Sequence, residues 1–171
     1  MRGFIVGGIS DEKVVREICK KLHLRSKIIV EKKNNLRKGK IQASLLHTQG
    51  CQKVILLKDS KEHEPLETRR RFKEAGFEQS AELCFAVREI ESWLLADEQA
   101  LVDYLKIEVK EIHNPEGVLD PAEFLGGLFK KVGKGYLKGG RDPEELAKRL
   151  HLEKAREKCP SFREFERAAR N

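Results

Sequence analysis

The sequence predicts an α/β fold: a mainly parallel four-stranded sheet with helices on both faces, followed by a helical C-terminal extension. Three observations carry this expectation. Short apolar runs (GFIV at 3–6, KIIVE at 27–31, KVILLKD at 53–59 and ELCFAV at 82–87) alternate with stretches of helical periodicity. The runs are apolar throughout rather than alternating, as strands buried on both faces are. The order β-α-β-α-β-α-β-α places a helix after each strand, and parallel pairing needs such a crossover, right-handed and packed back on the sheet.

Taken in order, GFIV leads through a glycine turn to Ser10, which is expected to cap a helix whose first turn holds Asp11 and Glu12. Val14, Val15, Ile18, Cys19 and Leu22 recur at helical spacing after it. KIIVE is the second strand. The polar, basic connection KKNNLRKGK (32–40) enters a helix through Ile41, Leu45 and Thr48 that Gly50 closes. KVILLKD is the clearest buried strand. Pro65 opens a charged helix running to about Ala75, and Gly76 ends it. ELCFAV is followed by one long helix over 88–105, on which Ile90, Trp93, Leu94 and Leu101 share a core-facing stripe. Asp97 falls on that stripe, so it is expected to be shielded and capped or paired.

After Leu105 the texture changes, which divides the chain into an α/β core at 1–105 and a helical extension at 106–171 packed on it. A turn-rich segment with two prolines precedes helices at 122–132, 143–150 and 152–158, with a glycine-rich basic loop over 131–143. A last helix follows Pro160, with Ser161 as its expected cap.

The 171 residues suffice for a real core, and 39% are hydrophobic. The apolar runs are far too short for a membrane span, and the absence of a leader pattern predicts a cytoplasmic protein. Cys19, Cys51, Cys84 and Cys159 lie far apart with no C-x-x-C pair, so reduced, buried thiols are expected rather than a zinc site. The net charge of +7, in a chain of which 37% is charged, fits either a solvated, ion-paired surface or a footprint for DNA or RNA. For the second, two basic stretches stand out. One contains Lys32, Lys33, Arg37, Lys38 and Lys40, and the other Lys134, Lys138 and Arg141 among glycines.

In an open parallel sheet, ligands gather beyond the carboxyl ends of the strands. The residues there are Gly7, Gly8, Ser10, Asp11 and Glu12 after strand one, Asp59 through Glu64 after strand three, and Arg88, Glu89 and Glu91 after strand four. Carboxylates gathered on one edge could hold a divalent cation. The first turn lacks both a dinucleotide fingerprint and the Gly-Lys-Ser/Thr of a P-loop. His63, in the strand-three loop, is expected to be an exposed loop residue or a proton shuttle.

The strand-one turn, the third strand ending in an acid, and the run REIESWLLAD (Arg88 to Asp97) together resemble a Toprim-like family of uncharacterised prokaryotic proteins. NPEGVLDP (114–121), YLK (136–138) and CPSFREF (159–165) extend the resemblance over nearly the whole chain. That family often accompanies ATPases in presumed defence cassettes. Toprim domains carry Glu-Gly after strand one and Asp-x-Asp after strand three, which hold Mg²⁺ for phosphodiester chemistry. Here Gly7 stands at the Glu position and Lys61 at the second Asp, while Asp11 and Asp59 are kept. The resemblance therefore implies one of two functions. The first is a degenerate site that binds nucleic acid or a partner ATPase. The second is an active nuclease with Mg²⁺ on Asp11, Glu12 and Asp59, and with Asp59, Glu89 and Glu91 serving catalysis.

Overall fold

The apolar runs pair as four parallel strands in the order β2-β1-β3-β4: β1 (Arg2–Val6), β2 (Ser26–Val30), β3 (Lys53–Ser60) and β4 (Glu82–Val87). This is a computed structural model of the chain, describing residues 1–32 and 35–171. The chain leaves β1 on one side to make β2, then returns to the other side for β3. Strand order therefore reverses between β1 and β3, and their carboxyl ends open a crevice between the connections that leave them. Register places Ile5 beside Leu56 and Ser60 beside Val87.

Alternation along the strands sends side chains to two apolar layers. Ile5, Val54, Leu56, Leu83 and Phe85 pack under α2 (Leu36–Thr48) and α3 (Leu66–Glu74), where Phe72 and Phe77 stack with centroids 4.5 Å apart. Phe4, Val6, Ile55, Leu57, Cys84 and Ala86 face the other way, onto α1 (Ile9–Lys21) and the later helices. These are α4 (Glu91–Leu94), α5 (Glu98–Leu105), α6 (Pro121–Lys130), α7 (Asp142–Arg149), α8 (Leu152–Lys158) and α9 (Pro160–Arg170), with a 3₁₀ turn at Pro115–Gly117. Residues of α6 through α9 belong to the same hydrophobic cluster as this face of the sheet. Arg2 grips the far end, donating from Nε to Ala169 O and from Nη2 to Arg170 O, each at 2.9 Å. All four cysteines are buried and free. No helix among the described residues is long and apolar enough to cross a membrane.

Three local expectations are corrected. The first helix begins at Ile9 with Gly8 as its cap, so Ser10 lies inside it and its hydroxyl is released for a distant partner. The long helix expected over 88–105 is broken into α4 and α5. Periodicity continues across the break, but Asp97 leaves helical geometry to cap α5, accepting from Ala100 N at 3.2 Å. Its other oxygen accepts from His151 N at 2.7 Å and lies 2.8 Å from His151 Nδ1, which ties α5 to the α7–α8 corner. Ser161 does not cap the last helix either; Cys159 holds that position. The Ser161 hydroxyl donates to the buried Glu116 at 2.5 Å and accepts from Trp93 Nε1 at 2.9 Å and Val87 N at 3.3 Å. Trp93, fully buried, meets Phe162 edge-on at 5.3 Å. These contacts seat α9 against the end of β4 and hold the following turn, which bears Glu89 and Glu91.

Candidate functional site

The carboxyl ends of all four strands and one loop from the C-terminal half meet in a crevice of about 380 Å³. Its charged lining is Asp11 from the β1 exit, Asp59 from β3, Glu91 beyond β4, Lys138 from the glycine-rich loop, and Lys32. The pleat explains why Asp59 enters and its neighbour does not. Asp59 continues the face of Leu57, toward α1, whereas Lys58 continues the face of Leu56 and lies with Leu36 on the α2 side. Burial there pulls the Lys58 ammonium below its ordinary value.

Gly7 and Gly8 bring the backbone against Asp11. A Cβ at position 7 would lie 3.3 Å from Asp11 Oδ2, so a side chain at that position would enter the crevice. The Asp11 carboxylate reaches back from the third helical position toward the Gly8 and Gly7 backbone, whose N–H groups favour its charged form. Burial first, and then the Glu91 charge, nonetheless push Asp11 up to about 6. Asp59 is pushed up to about 7, by desolvation and then by the charges of Asp11, Glu89 and Glu91. It stands exposed at the mouth of the crevice, so solvent screening moderates that push.

Glu91 is 1% exposed, and burial raises it above its ordinary value, with Lys138 opposing. Its Oε1 accepts from Ser10 Oγ at 3.0 Å and from Tyr136 Oη at 3.1 Å. Burial, then the Glu91 carboxylate, hold the Tyr136 hydroxyl well above its usual range, so it stays a donor. Lys138 is the cation that meets these carboxylates. It contacts Glu89, and its Nζ is 4.0 Å from Glu91 Oε2. Partial desolvation lowers the ammonium, but the Glu89 contact and the charges of Glu91, Glu89 and Asp59 outweigh it and leave Lys138 raised. Lys13 of α1 anchors the loop that carries Lys138, donating to Gly140 O at 2.5 Å and Gly139 O at 3.1 Å.

Other residues singled out from the sequence lie elsewhere. Glu12 pairs with Arg16 at 2.5 Å along α1 and does not line the crevice, so the trio Asp11, Glu12 and Asp59 is not assembled. Glu89 is occupied on both oxygens, by Ala122 N at 2.7 Å and by Lys138, and lines a neighbouring cavity instead. His63 turns away toward Glu116 Oε2, 3.3 Å distant. Lys134 and Arg141 lie exposed on the loop between α6 and α7, of whose predicted cations Lys138 enters the crevice; Arg37, Lys38 and Lys40 lie exposed in the first turns of α2. Lys33 lies outside the described residues. Ser10 was placed at the strand-one exit, but its bond to Glu91 was not legible, and Tyr136 was not legible as a member of the site at all. Ser10 is 81 positions from Glu91 and Tyr136 is 45, separations that no local pattern reports.

Among the described residues, no group of three or more His, Cys, Asp or Glu side chains is arranged to hold a metal ion. Mg²⁺ needs fewer, since it is commonly held by one or two carboxylates with water and phosphate completing the shell. Asp11 and Asp59 are the crevice carboxylates of the β1 and β3 exits, each pushed up partly by charges of its own sign.

Comparison with known proteins adds three findings. The profile of a family described as a domain of unknown function (DUF4276) matches residues 6–168. The C-terminal region of the Burkholderia pseudomallei OLD protein is similar in structure, with a TM-score of 0.53 and 15% sequence identity, over 96% of this chain and 97% of that one. At this identity the likeness carries the fold, and it agrees with a Toprim-like α/β sheet. No curated protein matches the chain.

Proposed function

The chain belongs to the DUF4276 family, and from its crevice we propose a nucleic-acid-associated domain that binds a phosphodiester backbone at the carboxyl edge of the sheet. The observation that carries this reading is the meeting of Asp11, Asp59 and Glu91 with Lys138 and Lys32 in one cavity. Acids alone would repel a phosphate. Acids that hold a lysine, with room for a divalent cation on Asp11 and Asp59, present positive charge to it. Mg²⁺ bound there would neutralise phosphoryl oxygens. The chain's own contribution is positional: Ser10 and Tyr136 fix Glu91, Glu91 and Glu89 fix Lys138, and Lys13 fixes the loop. The exposed cations Lys32, Lys134 and Arg141 would extend contact along the backbone, with salt-dependent and sequence-independent affinity.

A second reading, phosphodiester hydrolysis, is favoured by one observation. Asp59 is pushed to about 7, where a carboxylate can take a proton from water at neutral pH. The lysine at position 61 and the glycine at position 7 weigh toward binding, since each replaces an acid that the Toprim pattern carries.

The test is thermal stabilisation by Mg²⁺ together with anisotropy of labelled single-stranded DNA, duplex DNA and RNA over a salt series. The expected result is a Mg²⁺-dependent rise in melting temperature that Asp59→Ala removes, with nucleic-acid binding that weakens as salt rises. No Mg²⁺ response and no binding at low salt would overturn the reading and leave the partner ATPase implied by the resemblance. Cleavage of any of the three substrates, lost in Asp59→Ala, would establish the second reading.

A further inference from the structure

Beside the crevice lies a second cavity of about 490 Å³, lined by Lys61, Arg88, Leu119, Pro121, Tyr136 and Lys138 together with the start of α6. It is continuous in chemistry with the first. Lys138 lines both, and Tyr136 donates from this cavity to Glu91 of the other.

Arg88 is its unusual member. Three non-glycine residues among those described have left-handed backbone: His23 (φ 55°), Arg88 (φ 65°) and Lys106 (φ 60°). His23 and Lys106 follow the ends of α1 and α5, where that conformation is ordinary. Arg88 follows a strand. Its N–H still donates to Ser60 O at 2.6 Å, carrying the ladder one bond past β4, and only then does the backbone turn into the strained region. Strain of this kind persists where the surrounding structure over-determines it, commonly at a ligand edge. The Arg88 Nε is also buried without a hydrogen-bond partner among the described residues, and a buried guanidinium donor left unused is costly.

Lys61 adds a second positive charge, while two of the cavity's acids are already committed. Glu89 is held by Ala122 N and Lys138, and Asp120 accepts from Glu123 N at 2.8 Å as the cap of α6. Glu123 is exposed. Leu119, 80% exposed, is the solvent-facing apolar side chain of the cavity, and it lies over a wall that the buried Pro121 and the partly buried Tyr136 ring, packed on Phe129, hold in place.

Cationic groups beside an apolar, partly aromatic surface, in a volume suited to a small ligand, match the chemistry of a nucleotide. We propose that this cavity binds a nucleoside 5′-phosphate, with the phosphate on Arg88 and Lys61 and the base against Leu119, Pro121 and Tyr136. This inference rests on the nucleic-acid reading of the crevice, and it assigns the crevice's neighbour a separate role: holding a strand end or a free mononucleotide.

The experiment is an amide NMR titration of the full chain, without Mg²⁺, using thymidine 5′-phosphate, inorganic phosphate and thymidine as probes. Thymidine 5′-phosphate is expected to bind tightest and to shift Arg88, Leu119 and Ala122. Arg88→Gly should weaken it at least tenfold with the melting temperature unchanged or raised, because glycine accepts the left-handed backbone. Lys61→Ala, remote from any backbone strain, should weaken it as well. A 5′-phosphorylated oligonucleotide that competes better than its 5′-hydroxyl twin would identify a strand end, and equal competition a free nucleotide. Thymidine binding as tightly as its phosphate, undiminished affinity in both variants, or a melting temperature that falls in Arg88→Gly would overturn the inference. Asp59→Ala separates the two readings. It should abolish the Mg²⁺ response that scores the crevice while leaving thymidine 5′-phosphate binding intact.

Discussion

Replacing Asp11 with Asn should stabilise the protein at alkaline pH and do so progressively less as pH falls. In the folded chain Asp11 is moved from the ordinary 3.8 to about 6, chiefly by burial. The unfolded chain gives up this proton near the lower value and the folded chain near the higher one. Between them the folded state binds more protons, so its stability falls as pH rises through that window, opposite to a salt-bridged carboxylate. The full displacement corresponds to about 3 kcal/mol. Asp11 is partly exposed, so solvent screening brings the expected loss to between about 1 and 3 kcal/mol. Below about pH 4 the contribution is fully present, and by about pH 7 it is gone. Asn carries no charge to bury and keeps an oxygen for the glycine N–H groups, so its profile should lack this component. The assay is urea unfolding of both proteins at about pH 4, 6 and 8. Mg²⁺ should restore wild-type stability at the highest pH, by about 1.4 kcal/mol at ten times its dissociation constant, with little effect on Asp11→Asn. Parallel pH profiles for the two proteins would refute the argument, since the Asp11 carboxylate would then gain no proton affinity on folding.

Lys138→Met removes the cation beside Glu89 and Glu91. Without Mg²⁺ it should lower stability at about pH 8 by roughly 1–2 kcal/mol, and in a Mg²⁺ titration followed by melting temperature the midpoint should fall. A higher midpoint would show that Lys138 supports rather than competes with the metal. Gly7→Glu, whose side chain starts 3.3 Å from Asp11 Oδ2, should destabilise the metal-free protein and enlarge its thermal response to Mg²⁺; an unchanged response would mean that position 7 does not serve the crevice. Ser161→Ala leaves Trp93 Nε1 without its acceptor and Glu116 without its hydroxyl donor, and should cost about 2–4 kcal/mol in urea unfolding. A loss below about 0.5 kcal/mol would mean that this buried network contributes little to seating α9.

The sequence by itself determined the four strands, their parallel pairing and the sheet edge at which Asp11, Asp59 and Glu91 lie, because those features follow from local periodicity and the geometry of crossovers. It also marked Asp97 as shielded and either capped or paired, since a carboxylate on an apolar stripe has no other stable state. It misplaced Ser10 and Ser161 as helix caps. Each has the right residue type beside a helix start, but a buried carboxylate far along the chain, Glu91 or Glu116, claims the hydroxyl. Tertiary structure alone decided that Glu12 pairs along its own helix, that Glu89 accepts from Ala122 N in the first turn of α6, and that Lys138 enters the crevice from 49 positions past Glu89. Tertiary structure alone also showed the left-handed turn at Arg88, which no composition or spacing announces. The division has a physical origin. Strands and helices are specified by neighbours a few residues apart, whereas the charge of a crevice is the sum of groups that meet only after the chain has packed.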